Sequence, residues 1–298
     1  MPKIAKKTNC DDMAPNVSCV VSDDYEGDPK KVLEVYTSYA LEIKLIFERL
    51  SHLIGECNLI FTPPDEDNPK SEALQIGTLS AERDLLIKLT IPAANFDYYR
   101  CDAPKIVAGI DIPEFHSMLK NIDNDDVIYM YMSHSNKDYL YIDCEGDPTR
   151  GSVPKKLSVK LIDIESDEIN IKRVKFESKV SIQCDHFQKM CKNMSAVSNS
   201  LVIKSAGDNV SFGVGNENGA VTYYDSYRSD SKTCFSGEYN MKHVLVFAKC
   251  NKLCNKITLY LKNKYPLVIN VENQLGRLVG FLVAKNDDED DCDYDYDD

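Results

Sequence analysis

The 298-residue sequence predicts an α+β fold made of two similar domains, each with two helices and several antiparallel strands. Apolar residues recur at helical spacing in four segments, whereas most of the remaining chain alternates apolar and polar residues, as half-buried antiparallel strands do. The order of helix and strands then repeats between the two halves. This repetition indicates the duplication of one α+β unit.

Each of the four predicted helices has one apolar face. In the first, Ile43, Phe47 and Leu50 fall on the same side, and in the third Phe187 and Met194 do so. The helices are expected over residues 40–54, 112–122, 185–197 and 239–250.

The strand-like runs are short, and polar turns separate them. The duplication is visible in them, because a helix at 115–120 followed by a strand at 127–130 matches a helix at 241–246 followed by a strand at 257–260. Strands are expected over residues 85–91, 106–110, 127–132, 139–142, 157–162, 179–183, 201–205, 210–214, 220–224, 257–261, 267–271 and 279–283.

Composition limits the class of protein. The net charge is −13, but the segment 286–298 contains nine acidic residues and no basic one, so the rest of the chain is only mildly acidic, at −4. No apolar run is long enough for a membrane helix, and the N-terminus lacks the apolar region of a secretory signal. The eleven cysteines have no metal-binding or disulfide pattern, and we expect reduced thiols in an intracellular protein.

Four segments resemble one known family. They are FDYYRCD (96–102), KLIDIESDEINI (160–171), DHFQKMCKNMS (185–195) and YPLVINVENQLGRLVGFLVAK (265–285). In this order, they resemble segments of the proliferating cell nuclear antigen (PCNA) family of DNA sliding clamps. The resemblance implies the DNA clamp fold, in which two helices of each domain line a pore and antiparallel sheets lie outside. It also implies that three chains close into a ring.

The resemblance divides the chain into five parts and leaves some departures. The first 31 residues, an N-terminal arm, have no counterpart in ordinary members of the family. Residues 61–75 look like an insertion, and the last of the four segments lacks the proline that the family usually has before Lys285. These departures indicate a divergent member, from a lineage such as a large DNA virus or a protist. The parts are a flexible arm (1–31), a first clamp domain (32–159), an interdomain connecting loop (160–178), a second clamp domain (179–285) and a disordered acidic tail (286–298).

The polar faces of the helices offer candidate DNA contacts. Lys189 and Lys192 lie three residues apart, opposite the apolar face of their helix, and His116 and Lys120 lie four apart on theirs. An ordinary solvated helix face is the alternative interpretation of any single lysine. The resemblance places six lysines where the family has pore-facing basic residues: Lys44, Lys120, Lys189, Lys192, Lys242 and Lys249.

A second candidate site follows from the resemblance alone. Family members bind client peptides in a groove beside the connecting loop, through a PIP motif with a glutamine and a hydrophobic-aromatic anchor. Ile169 and Ile171 are the most telling, because an apolar pair in a charged linker has little structural reason to be there. For Pro266 and Leu282, plain sheet core is the alternative. The pocket would use Leu79 or Leu85, Ile169, Ile171, Pro266, Phe281, Leu282 and Val283.

The predicted function is that of a non-enzymatic DNA sliding clamp that encircles duplex DNA without sequence preference. It would tether DNA polymerase and other replication and repair enzymes in the nucleus or a viral replication compartment. We expect a homotrimer opened by a clamp loader, with the strand near 155–162 meeting 219–224 of the next chain. No catalytic residue, cofactor, metal or membrane contact is implied. The alternative is a checkpoint-like or degenerate clamp that acts mainly as a protein scaffold.

Overall fold

The chain forms two compact units in a computed structural model. The first comprises residues 1–78, 88–169 and 273–277, and the second 79–87, 170–272 and 278–298. No helix in the described part of the chain is long and apolar enough to cross a membrane. The structure describes residues 5–6, 19–20, 27–65, 68, 71–146, 153–165, 174–176, 178–206, 209–225 and 234–285.

Two helices pack together in the first unit, α1 (Ala40–Leu50) and α2 (Ile112–Leu119). The rings of Phe47 and Phe115 meet edge to face with centroids 4.7 Å apart, so the apolar faces of the two helices bury each other. α2 begins where Asp111 Oδ1 accepts a hydrogen bond from Glu114 N at 2.6 Å, a side-chain cap for its first turn.

Two groups of antiparallel strands accompany these helices. One group has the order β11-β10-β9-β3-β7 and the other β6-β5-β4-β8. The first group consists of β3 (Lys31–Thr37), β7 (Tyr98–Cys101), β9 (Val127–Ser133), β10 (Tyr139–Glu145) and β11 (Lys155–Lys160). The second consists of β4 (Glu56–Phe61), β5 (Glu72–Leu79), β6 (Leu85–Pro92) and β8 (Ile106–Asp111).

The second unit repeats this plan with α3 (Cys184–Ser195) and α4 (Met241–Ala248), which pack against each other. Its strands have the orders β12-β17-β18-β19 and β15-β14-β13-β16. They are β12 (Ser178–Gln183), β13 (Ser200–Ala206), β14 (Asn209–Asn216), β15 (Gly219–Asp225), β16 (Phe235–Asn240), β17 (Lys256–Leu261), β18 (Leu267–Glu272) and β19 (Arg277–Leu282).

The predicted start of the fourth helix is wrong. Tyr239, which we expected to open it, lies in β16 opposite Leu201 and is buried. Asn240 then caps α4, because its Oδ1 accepts a hydrogen bond from Lys242 N at 3.1 Å. The buried aromatic side chain of Tyr239 therefore belongs to β16 and not to the first turn of the helix.

Besides the two short strands of the arm, Ala5–Lys6 (β1) and Cys19–Val20 (β2), five strands were not predicted: β3, β4, β5, β7 and β16. β3 has too little alternation to be recognised, since six of its seven residues are buried, including the polar Glu34 and Thr37. β5 occupies the last part of the segment 61–75, which looked like an insertion, and continues to Leu79. The part of that segment outside regular strands is therefore shorter than the sequence indicates.

Ordered chain begins before the predicted domain boundary at residue 32. Lys31 opens β3, Asp28 N donates to Glu34 Oε2 at 2.9 Å, and Arg100 Nη2 donates to Asp28 O at 2.6 Å. Earlier in the arm, Ala5–Lys6 (β1) pairs with Cys19–Val20 (β2). The end of the arm is thus attached to the first unit.

The start of the predicted connecting loop is also fixed. Ile162 N donates to Gly109 O at 2.9 Å, and Asn58 Nδ2 donates to Ile164 O at 3.0 Å. A β-carbon at position 109 would overlap the Ile162 carbonyl oxygen, so this close approach requires glycine. Residues 160–165 therefore lie along the first unit and contact β8 and β4.

Candidate nucleic-acid and partner interfaces

Exposed lysines lie on both helices of the second unit. On α3, Phe187 and Met190 are buried, and Lys189 and Lys192 are on the exposed side. Lys242 on α4 and Lys249, the residue that follows α4, are also exposed. Within the described ranges, none of these four ammonium groups has a carboxylate within 4.0 Å. Four of the six predicted lysines are thus solvated cations on two helices that pack together.

The two predicted lysines of the first unit differ from each other. Lys120 follows α2 and is exposed. Lys44 is half-buried on α1, where its Nζ donates to the Ile122 carbonyl oxygen and to Asn124 Oδ1, the latter at 3.0 Å. The Lys44 ammonium therefore holds the turn after α2 in place and is less available to a phosphate than Lys120.

A second lysine holds the same turn. Lys155 Nζ lies 2.6 Å from Asp123 Oδ2 and 3.0 Å from Asp126 Oδ2. The hydrogen bond to Asp123, followed by that to Asp126, raises the pKa of Lys155 and favours its charged form. The 122–126 turn is thus fixed by a cation on either side.

His116, four residues before Lys120 on the face of α2, is a poor source of positive charge. Burial lowers the pKa of His116 below its usual value, and the charge of Lys120 lowers it further. Its Nδ1 lies 3.3 Å from Ser51 Oγ. At neutral pH the ring is therefore uncharged, and the cationic character of this face comes from the lysines.

A further exposed cation close to α4 was not predicted from the sequence. Lys252 lies in the short 3-10 helix Cys250–Lys252 that follows α4, three residues beyond Lys249. Nothing in the helical period marks it, because it lies outside the four amphipathic segments. The only available signal was its closeness in sequence to Lys249.

The residues predicted to line the client pocket include both surface and core residues. Leu85 and Leu282 are buried. For Leu282, burial agrees with the alternative interpretation that this residue belongs to the sheet core. Leu79, Pro266 and Phe281 are half-buried. The remaining three members are Val283, with 45% of its surface exposed, and Ile169 and Ile171, which lie outside the described residues.

Phe281, on β19, and Val283, just beyond β19, adjoin the turn before β6. Val283 N donates to Asp84 O at 2.9 Å, which attaches the end of β19 to residues 80–84. β18, which begins one residue after Pro266, neighbours β19. Leu79, Pro266, Phe281 and Val283 are therefore the accessible apolar groups that the second unit supplies at these strand ends.

Both strands predicted to meet between chains lie at sheet edges. β11 ends one five-stranded order in the first unit, and β15 ends the four-stranded order in the second. β15 also exposes large apolar side chains, with 38% of Val221 and 82% of Tyr224 accessible. An edge strand of this kind can accept a further strand.

Comparison with known proteins supports the class that this architecture defines, the DNA clamp fold. The structure matches the crystal structure of proliferating cellular nuclear antigen from Entamoeba histolytica with a TM-score of 0.76 at 18% identity, over 86% of this chain and 100% of that one. Residues 33–170 match the family model of the PCNA N-terminal domain, and residues 170–286 that of the C-terminal domain. The chain belongs to the proliferating cell nuclear antigen family.

Curated relatives include both viral and animal proteins. A probable DNA polymerase sliding clamp of Acanthamoeba polyphaga mimivirus is 34% identical over 286 residues, which cover 85% of this chain and 62% of that relative. A probable DNA polymerase sliding clamp 1 of Paramecium bursaria Chlorella virus 1 is 22% identical, over 86% and 98% of the two chains. Proliferating cell nuclear antigen of Caenorhabditis elegans is 26% identical, over 74% and 88%.

Proposed function

We propose that this chain is a DNA sliding clamp, a non-enzymatic processivity factor that surrounds duplex DNA and tethers DNA polymerase. The observation that carries the proposal is the set of exposed lysines on the packed helices α3 and α4, in a chain of the PCNA family. The names of the mimivirus and Chlorella virus relatives support the same function.

The lysines suit a protein that must hold DNA without stopping on it. Contacts between ammonium groups and phosphates carry no sequence information, and exposed charges are screened by salt. Lys189, Lys192, Lys242 and Lys249 are exposed and unpaired by carboxylates among the described residues, so each can attract a phosphate and release it. Retention would come from ring closure, with the lysines as a diffuse lining.

Ring closure requires unlike edges that pair head to tail. We propose a homotrimer in which β11 of one chain pairs with β15 of the next, since both are edge strands and β15 exposes Val221 and Tyr224. A closed ring needs a clamp loader to open it. The clients would be polymerase and repair enzymes with PIP motifs, bound at Leu79, Pro266, Phe281, Val283 and the connecting loop, in the nucleus or a viral replication compartment.

The decisive experiment compares two double variants with equal loss of charge. Lys189→Ala/Lys192→Ala removes two cations per chain from α3, and Lys204→Ala/Lys264→Ala removes two exposed cations from elsewhere in the second unit. With a clamp loader and primed circular DNA, the α3 variant should shorten polymerase products and release clamp faster as salt rises. The control variant should match wild type.

Two outcomes would count against the clamp function. If the α3 variant supports synthesis as long as wild type at every salt concentration, the basic face is an ordinary solvated surface. If wild type itself gives no extension of product length although it binds PIP peptides, the chain acts as a protein scaffold, which is the alternative function. A preference for particular DNA sequences would contradict both.

A further inference from the structure

Two thiols meet beside the helix pair of the second unit. Cys184 Sγ lies 3.1 Å from Cys254 Sγ, although the two residues are 70 positions apart in the chain. Cys184 opens α3, and Cys254 lies between the 3-10 helix Cys250–Lys252 and β17. No spacing pattern in the sequence predicts this pair, because 70 positions separate the two cysteines.

The backbone keeps the two cysteines adjacent. The pairing of β12 with β17 ends at Gln183 opposite Lys256, and the next residue, Cys184, donates from its N to Asn255 O at 2.9 Å. Cys254 is therefore the diagonal neighbour of Cys184 across two antiparallel segments. The two sulfur atoms, 3.1 Å apart, need to approach by only about 1 Å to reach the length of a disulfide bond, roughly 2.05 Å.

The two thiols differ in exposure and in acidity. Cys184 is buried, and Cys254 is half-buried with access to solvent. The hydrogen bond from Cys184 lowers the pKa of Cys254 and outweighs the effect of burial, whereas donating that bond raises the pKa of Cys184. Cys254 is thus the more acidic and the more accessible of the two thiols, and Cys184 lies behind it.

Other buried cysteines lack these properties. Burial raises the pKa of Cys57, Cys144 and Cys191 to about 12, so these thiols stay protonated at physiological pH. Each of the three is also buried from solvent. Reactivity towards an oxidant should therefore concentrate at Cys254 among them.

We propose that Cys184 and Cys254 form a reversible intramolecular disulfide when the protein meets hydrogen peroxide. The Cys254 thiolate attacks one peroxide oxygen, the O–O bond breaks, and Cys254 becomes a sulfenic acid while hydroxide leaves and takes up a proton. The Cys184 sulfur then attacks the Cys254 sulfur. The S–S bond forms as the S–O bond breaks, and the hydroxyl leaves as water with the Cys184 proton. Two electrons pass to peroxide, and two waters result.

The bond would tie the first residue of α3 to the segment that follows α4. It would close a long loop that contains all of β13 to β16, so it would reduce the conformational freedom of the unfolded chain and stabilise the second unit. This inference does not depend on DNA binding, although the helices concerned carry the four exposed lysines.

The test is peptide mapping of the full chain after treatment with hydrogen peroxide. Free thiols are alkylated, the chain is digested, and disulfide-linked peptides are identified by mass spectrometry. We expect a peptide pair joined through Cys184 and Cys254, lighter by two hydrogens than the separate thiol peptides and restored by dithiothreitol. The oxidised chain should also melt several degrees higher than the reduced chain.

Three variants keep the outcome interpretable. Cys254→Ser should abolish both the linked peptide and the rise in melting temperature, and Cys234→Ser, which removes another half-buried thiol, should leave both unchanged. In Cys184→Ala, Cys254 should stop at a sulfenic acid that a dimedone probe traps. The proposal fails if wild-type Cys254 proceeds to sulfinic acid without the link, or if Cys254→Ser still gains the stability.

Discussion

His243 and Asp84 form a hydrogen-bonded pair in the second unit, with His243 Nε2 2.9 Å from Asp84 Oδ2 and 3.0 Å from Oδ1. Ser80 Oγ donates to the same carboxylate at 2.8 Å. His243 lies on α4 and is buried. Asp84 is in the turn before β6, and its backbone carbonyl oxygen also accepts a hydrogen bond from Val283 N. The pair therefore connects α4 to the strand ends where clients are proposed to bind.

This pair should make stability depend on pH. Burial raises the pKa of Asp84, but hydrogen bonds from Ser80 and His243 outweigh it and hold the pKa below its usual value. A lowered folded-state pKa gives stability that is present above the unfolded pKa, near 4, and is lost as pH falls through the folded value. Asp84→Asn should thus lower the free energy of unfolding by roughly 0.5–1 kcal/mol at pH 7, since the side chain is partly solvated.

Thermal unfolding at several pH values checks this prediction. The difference between Asp84→Asn and wild type should shrink as pH falls towards 3. Glu82→Gln, an exposed carboxylate within 4.8 Å of the same group, should change stability much less. A difference between Asp84→Asn and wild type that is constant with pH would show that the loss has another cause.

Substitution of Lys44 should change the stability of the fold, whereas substitution of Lys189 should change DNA binding. Lys44→Met removes the hydrogen bonds to Ile122 O and Asn124 Oδ1 and leaves that carbonyl to find another partner. We expect a loss of about 1–2 kcal/mol in the free energy of unfolding. Lys189→Met should leave unfolding unchanged and reduce the salt dependence of DNA binding by about one phosphate contact per chain of the ring. Chemical denaturation and a salt titration of DNA binding distinguish the two, and equal stability of both variants would contradict the structural role of Lys44.

Tyr224 should control assembly. Its side chain is 82% exposed on the edge strand β15, so a charge there would face the neighbouring chain in the proposed ring. Tyr224→Asp should shift the mass measured by light scattering from three chains towards one 33.7 kDa chain at micromolar concentration. Lys204→Asp, exposed on the internal strand β13, should remain trimeric. A single-chain mass for wild type would overturn the homotrimer.

Val283 should contribute to the client site. Val283→Glu places a charge against the apolar anchor of a PIP peptide and should cost on the order of 1–3 kcal/mol of binding free energy, and the same holds for Ile171→Glu in the connecting loop. Val107→Glu, an exposed apolar position in the first unit, is the matched control and should not change affinity. Peptide titration by fluorescence anisotropy gives the values. Wild-type affinity in both of the first two variants would move the site elsewhere.

The helices and most strands were predictable because each buries one face, and a buried face leaves a period in the sequence. The ends of the helices were less predictable than the helices themselves. Tyr239 was expected to open α4, but it pairs with Leu201 in β16, and Asn240 caps the helix after it, so the cap decides where the helix begins. β4 and β5 were hidden by the acidic, proline-containing segment that joins them.

The candidate sites were predictable to the level of residue type and no further. The helical period alone places Lys44 on the polar face of α1. It cannot show that the Ile122 carbonyl oxygen lies within hydrogen-bonding distance of Lys44, because that contact joins residues 78 positions apart. Likewise, Leu85 and Leu282 have the same apolar character as Phe281, and only the packing of the strands decides which side chains reach the surface. The pairing of Cys184 with Cys254 depends on strand register, which the sequence does not encode locally.

The bridge between Gly109 and Ile162 has an evolutionary consequence. Since any side chain at position 109 would collide with the Ile162 carbonyl, a single substitution there would push the chain beyond β11 away from the strand beneath it. The glycine is therefore constrained by the close backbone approach, whereas its neighbours Ala108 and Ile110 are constrained by burial. In a set of diverging descendants, loss of the glycine should be accompanied by a rerouted connector.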